Sequence, residues 1–132
     1  FAASVVAFEG SSAYFQGGTV AYQREAKETQ LGIDSTLLDQ FGMVSAECAK
    51  AMAEQARLHY QSDLGISFTG VAGPSEMEGK EVGTIFVALA SQTDVEVLEL
   101  HLARTRNDNR EFAVQHGWNL LRKYLLKQVR TK

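Results

Sequence analysis

The sequence predicts an α/β domain, one sheet with helices on its faces, and three observations lead there. Segments of strand character alternate with segments of helical periodicity, and no internal repeat or low-complexity linker interrupts them. Residues 84–90 are so uniformly apolar that both faces of that strand must be covered, as in the middle of a sheet. Finally, 132 residues, 45% hydrophobic and 22% charged, describe a single domain over 1–132. A chain of that length buries roughly two-thirds of its unfolded surface without disulfide or metal staples.

Taken in order, residues 1–8 are apolar without an N-cap and read as the remainder of a helix that stops at Gly10. Gly17 and Gly18 open a predicted strand over 19–22, and residues 24–31 form a short helix closed by Gly32. Asp34 or Ser35 caps a second short helix ending at Gly42. Ser45 caps the first long helix, about 46–60, whose Ala49, Met52, Ala56 and Tyr60 share one face and are expected in the core. A short strand over 66–69 runs into Gly70, Gly73 and Pro74, which force a turn. After the central strand, residues 95–102 alternate as an outer strand with Val95, Val97, Leu100 and Leu102 inward. The last helix starts near Asn107 or Asp108, with Val114, Trp118, Leu121 and Leu125 on its buried face and Ala113, Gly117, Leu120 and Tyr124 alongside.

Several classes of protein are disfavoured. The single cysteine, Cys48, makes no internal disulfide, and the three histidines stand far apart, so no metal site is expected and no cofactor is called for. No apolar run approaches the length a bilayer span needs, so a soluble, cytoplasmic protein without membrane contact is expected. Phe1-Ala2-Ala3-Ser4 has neither an initiator Met nor a signal-peptide pattern, so the chain reads as N-terminally truncated. The net charge of −3 hides an asymmetry: eight basic and two acidic residues follow position 103, a local balance of +6. Arg122, Lys123, Lys127, Arg130 and Lys132 suit a helix C-terminus, whereas Arg104, Arg106 and Arg110 need another explanation.

Four segments hold polar residues that a core does not require: 10–12, 22–27, 69–74 and 104–110. Ser11 and Ser12 read equally well as a turn and cap. Lys27 is on composition an ordinary surface lysine, and becomes interesting only beside a site. A strand ending in glycines before a turn exposes backbone N–H groups suited to a phosphate or oxyanion, which makes Thr69, Gly70 and Gly73 candidates. Arg106 and Arg110, four apart at a helix start, can converge on an anion near its first amides, or can simply be an exposed pair beside Asp108 and Glu111.

In sequence order these segments resemble the C-terminal domain of the competence/damage-inducible protein CinA, also found alone as nicotinamide mononucleotide deamidase. The matching residues include Gly10-Ser11-Ser12-Ala13-Tyr14-Phe15, Val20-Ala21-Tyr22, Glu25-Ala26-Lys27, Leu31-Gly32, Thr69-Gly70-Val71-Ala72-Gly73-Pro74, Val82-Gly83-Thr84, and Arg106 with Arg110. The Thr-Gly-x-Ala-Gly-Pro loop followed by Val-Gly-Thr is the most specific part. The resemblance implies a three-layer α/β/α fold with a mixed sheet of four to five strands, its first strand expected to be missing from this fragment, and a homodimer. It implies hydrolysis of the nicotinamide mononucleotide carboxamide to nicotinate mononucleotide and ammonia by serine acyl transfer. The family's nucleophile belongs to a Glu-Ser-x-Thr-x-Gly segment that would precede residue 1. Lys27 would be the base, Tyr22 would relay a proton or orient the amine, Thr69 with the Gly70 to Gly73 amides would hold phosphate or ribose, Arg106 and Arg110 would neutralise the phosphate, and Ser11 and Ser12 would line the pocket.

The chain departs from the family at Tyr22-Gln23-Arg24, where many members have Tyr-Ser-Asn, and at the acidic stretch Ser75-Glu76-Met77-Glu78, where many are glycine-rich. An acidic loop beside a phosphate site weakens anion binding unless its carboxylates are directed elsewhere. The alternative is a non-catalytic interaction domain that binds a recombinase. Nucleic-acid binding ranks third, because most of the basic tail is explained by helix position and no stacking aromatics accompany it.

Overall fold

The computed structural model describes residues 1–130. Its elements are α1 (Ala2–Val6), a 3-10 turn (Ser11–Ala13), α2 (Arg24–Leu31), α3 (Ser35–Phe41), α4 (Ala46–His59), β1 (Gly65–Gly70), β2 (Thr84–Ala90), β3 (Val95–His101) and α5 (Arg106–Arg130). The three strands form an antiparallel sheet in the order β1-β2-β3, with Phe68 opposite Val87 and Val87 opposite Leu98. Every residue of β2 is buried, as its unbroken apolar run requires.

Helices cover both faces, giving the three-layer α/β/α arrangement. Phe86, Ala88 and Ala90 pack with Ala49 and Ala53 of α4, while Ile85, Val87 and Leu89 pack with Ala113 and Leu120 of α5. α2 and α3 close on the outer side of α4 around Leu31, Ile33, Leu38 and Cys48. The helix ends follow their punctuation. Asp34 accepts the Thr36 N–H at 2.9 Å, Ser45 accepts the Cys48 N–H at 3.1 Å, and Gly32 ends α2 in the left-handed region at φ 70°.

Four expectations need correction. Residues 19–22 form no strand: Val20 is 90% exposed and Tyr22 71%, and a short β-branched run without a partner edge has nothing to pair with. The described residues accordingly hold three strands of the sheet, its first strand being expected outside this fragment, and these three are antiparallel where the resemblance implies a mixed sheet. On α4 the most buried residues are Cys48, Ala49 and Ala53, while Met52, Ala56 and Tyr60 are half-buried. Small side chains there let the helix lie close to the sheet: Ser67 Oγ donates to Ala49 O at 2.6 Å, and a Cβ on Gly65 would strike the Ala53 carbonyl.

On α5 the buried stripe is Asn109, Ala113, Gly117 and Leu120. Val114, Trp118 and Leu121 are only half-buried, and Leu125 is 47% exposed. Gly117 fixes that choice, because a Cβ there would lie 2.5 Å from Phe68 Cζ, so β1 meets the helix at its smallest residue. β3 is amphipathic on both faces, with Val95 and Val97 toward α4 and Leu98, Leu100 and Leu102 toward α5. Lys132 lies outside the described residues.

Candidate functional site

The Thr69 loop leaves β1 toward β2, and its backbone is largely committed. Val71 N donates to Thr84 O at 2.9 Å, and Gly83 N donates to Val71 O at 2.6 Å. Gly70 is required by strand packing, since a Cβ would sit 2.7 Å from Thr84 O and from Ile85 Cγ1. Gly73 takes φ 105° with Val82 Cγ1 2.6 Å from where its Cβ would be. Among the described residues the Ala72 and Gly73 N–H groups have no hydrogen-bond partner, so the donors the loop can offer an anion lie there. Thr69 itself is buried, and its hydroxyl donates to Met43 O at 2.7 Å.

Arg106, the first residue of α5, reaches across to this loop. Its Nη1 donates to Gly73 O at 2.6 Å and its Nη2 to Tyr22 Oη at 3.2 Å. One guanidinium thereby joins three stretches of chain: the segment before α2, the β1 exit and the start of α5. Residue Lys27, one turn into α2, is buried at 6% exposure and donates from Nζ to Ala21 O at 2.6 Å, next to Tyr22. Burial pushes its amine below the usual lysine range, with the charges of Cys48 and Glu78 opposing part of that fall. Cys48, wholly buried, is pushed up to about 11 by the same cause.

The other candidates are not drawn in. Arg110 is exposed and donates to Asn107 Oδ1 at 3.3 Å, within its own helix. Ser11 is buried in the 3-10 turn, where its N–H donates to Phe8 O, and Ser12 is exposed. The departure at Arg24 is structural: its guanidinium binds Glu28 at 2.7 Å and Asp39 at 2.5 Å, clipping α2 to α3. Arg104, likewise unexplained by helix position, lies 4.3 Å over the Phe112 ring. Two surface cavities, of about 550 Å³ along Trp118, Leu121, Leu125 and Val129 and about 320 Å³ around Glu54, Arg57 and Thr93, border neither Lys27 nor Arg106.

Two residues of the neighbourhood escaped the sequence reading. Asn109 has no exposed surface; its Nδ2 donates to Ala72 O at 3.0 Å and Arg104 O at 3.1 Å, while its Oδ1 accepts Arg104 N at 3.2 Å. An asparagine in a helix's first turn carries no signal of this, since caps and solvent faces use it equally. Glu78, though exposed, folds back onto the segment before α4: Oε2 accepts Met43 N at 2.9 Å and Oε1 accepts Val44 N at 2.8 Å. It stands with Gly79 in a turn where both have positive φ, 54° and 72°. Gly42 makes its approach possible, because a Cβ there would be 2.9 Å from Glu78 Oε1. A glutamate beside a Gly could have hinted at this turn, but its partner lies 34 residues away.

The family model for the CinA C-terminal domain matches residues 1–125. This chain belongs to that family. A competence-damage inducible protein of Streptococcus pneumoniae strain Spain 23F-1 is 48% identical over 127 residues, 96% of this chain and 30% of the relative. The chain therefore spans under a third of the length of such curated relatives. Among solved structures, a CinA superfamily protein from Enterobacter cloacae superposes with TM-score 0.91 at 28% identity, over 94% of this chain and 74% of that one. A competence/damage inducible protein from Agrobacterium tumefaciens does so with TM-score 0.86 at 29% identity, over 91% and 74%. Both likenesses cover the three-layer core of this CinA domain, so its antiparallel sheet belongs to the fold these proteins share.

Proposed function

We propose that this CinA domain contributes the base and the phosphate-binding side of a nicotinamide mononucleotide amidohydrolase. The observation that carries the reading is the Arg106 guanidinium bonded at once to Gly73 O and to Tyr22 Oη, Tyr22 being the residue after Ala21, whose carbonyl holds Lys27. A buried amine bonded to Ala21 O, and a guanidinium bonded to Tyr22 and to the loop that carries the free amides, support this reading.

In this reading the serine of the family's Glu-Ser-x-Thr-x-Gly segment attacks the carboxamide carbon, and Lys27 takes the serine proton. Lysine can do so only when neutral, which burial favours and a cationic pyridinium ring nearby favours further. The carbon–nitrogen bond then breaks, Lys27 returns the proton to the departing ammonia, and water releases the nicotinate product from the acyl-serine. The Ala72 and Gly73 amides with Arg106 hold the phosphate meanwhile, once Arg106 exchanges its Tyr22 contact for the anion. Ammonia release from nicotinamide mononucleotide by a longer version carrying the serine segment, compared with Lys27→Ala, tests this. Equal rates would remove Lys27 from the mechanism, and no release from either would remove the activity.

A further inference from the structure

We propose that Asn109 is a positioning residue for Arg106, and through it sets recognition of the phosphate on the substrate. The proposal rests on reading Arg106 as the phosphate-binding group, and its geometry is independent of the chemistry at Lys27.

Asn109 uses both side-chain amide protons and accepts one bond at Oδ1, all with backbone. Its amide mimics a peptide group toward Arg104, giving a proton to the carbonyl and taking one from the N–H, while its second proton goes to Ala72 O. Arg106 follows Arg104 by two residues, and Gly73 follows Ala72 by one. The adjacent carbonyls of Ala72 and Gly73 are therefore held by two side chains of one helix start, Asn109 from inside and Arg106 from the surface. Arg106 is exposed and its outer partner, Tyr22, is exposed as well, so neither supplies a rigid support. Of the side chains in the set, Asn109 has no exposed surface. Without it, residues 104–106 and 72–73 lose the contact that fixes their spacing, and the guanidinium has no defined place relative to the free loop amides. Three backbone groups, Ala72 O and the N–H and carbonyl of Arg104, would also lose their side-chain partner at a part-buried junction.

The direct readout is the Arg106 guanidinium by nitrogen NMR, its resonance identified with Arg106→Lys. Bonded through Nη1 to a carbonyl, it should show hindered rotation and separate Nη signals in the parent protein. In Asn109→Ser those signals should merge, and the affinity for inorganic phosphate, read from the same resonance, should fall about tenfold. In the longer active version, the variant should lower kcat/KM for nicotinamide mononucleotide about tenfold more than for the riboside that lacks the phosphate. Asn109→Asp gives a second test within one molecule: the neutral acid keeps a donor and the ionised form has none, so the Arg106 signals should change with pH in this variant alone. Unchanged Arg106 signals in a folded variant, or equal losses on the two substrates, would overturn the positioning role. An inactive parent whose Arg106 signals still respond to Asn109 would instead remove the amidase reading and leave this one standing.

Discussion

The claim that Lys27 is held toward its neutral form makes a prediction about stability that needs no substrate. In the unfolded chain its amine titrates near the ordinary 10.5, whereas burial lowers it in the folded protein. Between the folded and unfolded midpoints the unfolded state binds more protons, so folding stability must rise with pH across that interval. One proton corresponds to a slope of about 1.4 kcal/mol per pH unit, and Lys27→Met, which keeps most of the stem and has no proton to lose, lacks it. The absolute effect at pH 7 mixes relief of the buried charge with an Ala21 carbonyl left unpaired, about 1–3 kcal/mol in the opposite sense. The slope is therefore the quantity to compare.

Cys48 has the reverse sign: its thiol, raised from 9.0 to about 11, makes stability fall as pH climbs through that range. Urea unfolding of both proteins below pH 9, or in a Cys48→Ala background, separates the two. The parent should gain on Lys27→Met as pH rises and level off near 10.5; parallel curves would mean that the amine is charged in the fold and unfit to act as a base.

Other perturbations follow from single contacts. Glu78→Ala removes both acceptors of the Met43 and Val44 amides and should cost about 1–3 kcal/mol, with amide hydrogen exchange faster at those two positions. Gly117→Ala sets a helix-propensity gain of about 1 kcal/mol against a Cβ 2.5 Å from Phe68, an overpacking cost of about 1–3 kcal/mol; thermal unfolding should show net loss. Tyr22→Phe deletes an exposed hydroxyl 3.2 Å from Arg106 and should change stability by less than about 0.5 kcal/mol, while lowering KM for the mononucleotide in the active version, because Arg106 then has no Tyr22 contact to give up for the phosphate.

The parts of the fold legible in the sequence are those decided locally. Asp34, Ser45, Gly32 and Gly42 mark helix ends by their own backbone and side-chain chemistry, and β2 announces its burial by having no polar residue after Thr84. What local pattern does not encode depends on distant partners. Residues 19–22 have strand composition but meet no strand edge; they are tied to the fold by side-chain contacts instead, Thr19 Oγ1 to Tyr60 Oη at 2.7 Å, Lys27 Nζ to Ala21 O and Arg106 Nη2 to Tyr22 Oη. On α5 the larger residues Trp118, Leu121 and Leu125 outweigh Asn109 and Gly117 in any periodicity count, yet closeness to β1 selects the small stripe. Of the candidate residues, Arg106 bonds both Gly73 O and Tyr22 Oη, and Lys27 bonds the carbonyl of Ala21 beside Tyr22, while Arg110 and the two serines make none of these contacts. The pairing that links 22, 73 and 106 crosses 84 residues of chain, which no local pattern encodes.

The acidic stretch 75–80 looked hostile to an anion site, and the geometry of Glu78 reverses that argument. A carboxylate whose two oxygens are bound by backbone amides at 2.8 and 2.9 Å has much of its charge met by N–H dipoles, so its field at the phosphate side is reduced. What remains falls on Lys27, where it opposes burial and keeps the amine from losing its proton too readily. Glu78 and burial thus pull the same group in opposite directions. A base that must accept a proton from serine and then surrender it to ammonia works best between those extremes, with an affinity matched to the pH of reaction rather than as low as burial alone would make it. In the proposed mechanism the loop at 75–80 would thereby supply a tuning charge to Lys27. Glu78→Gln, which keeps an acceptor and drops the charge, should shift the acid limb of the pH–rate profile toward lower pH; a shift the other way, or none, would return that loop to a purely structural role.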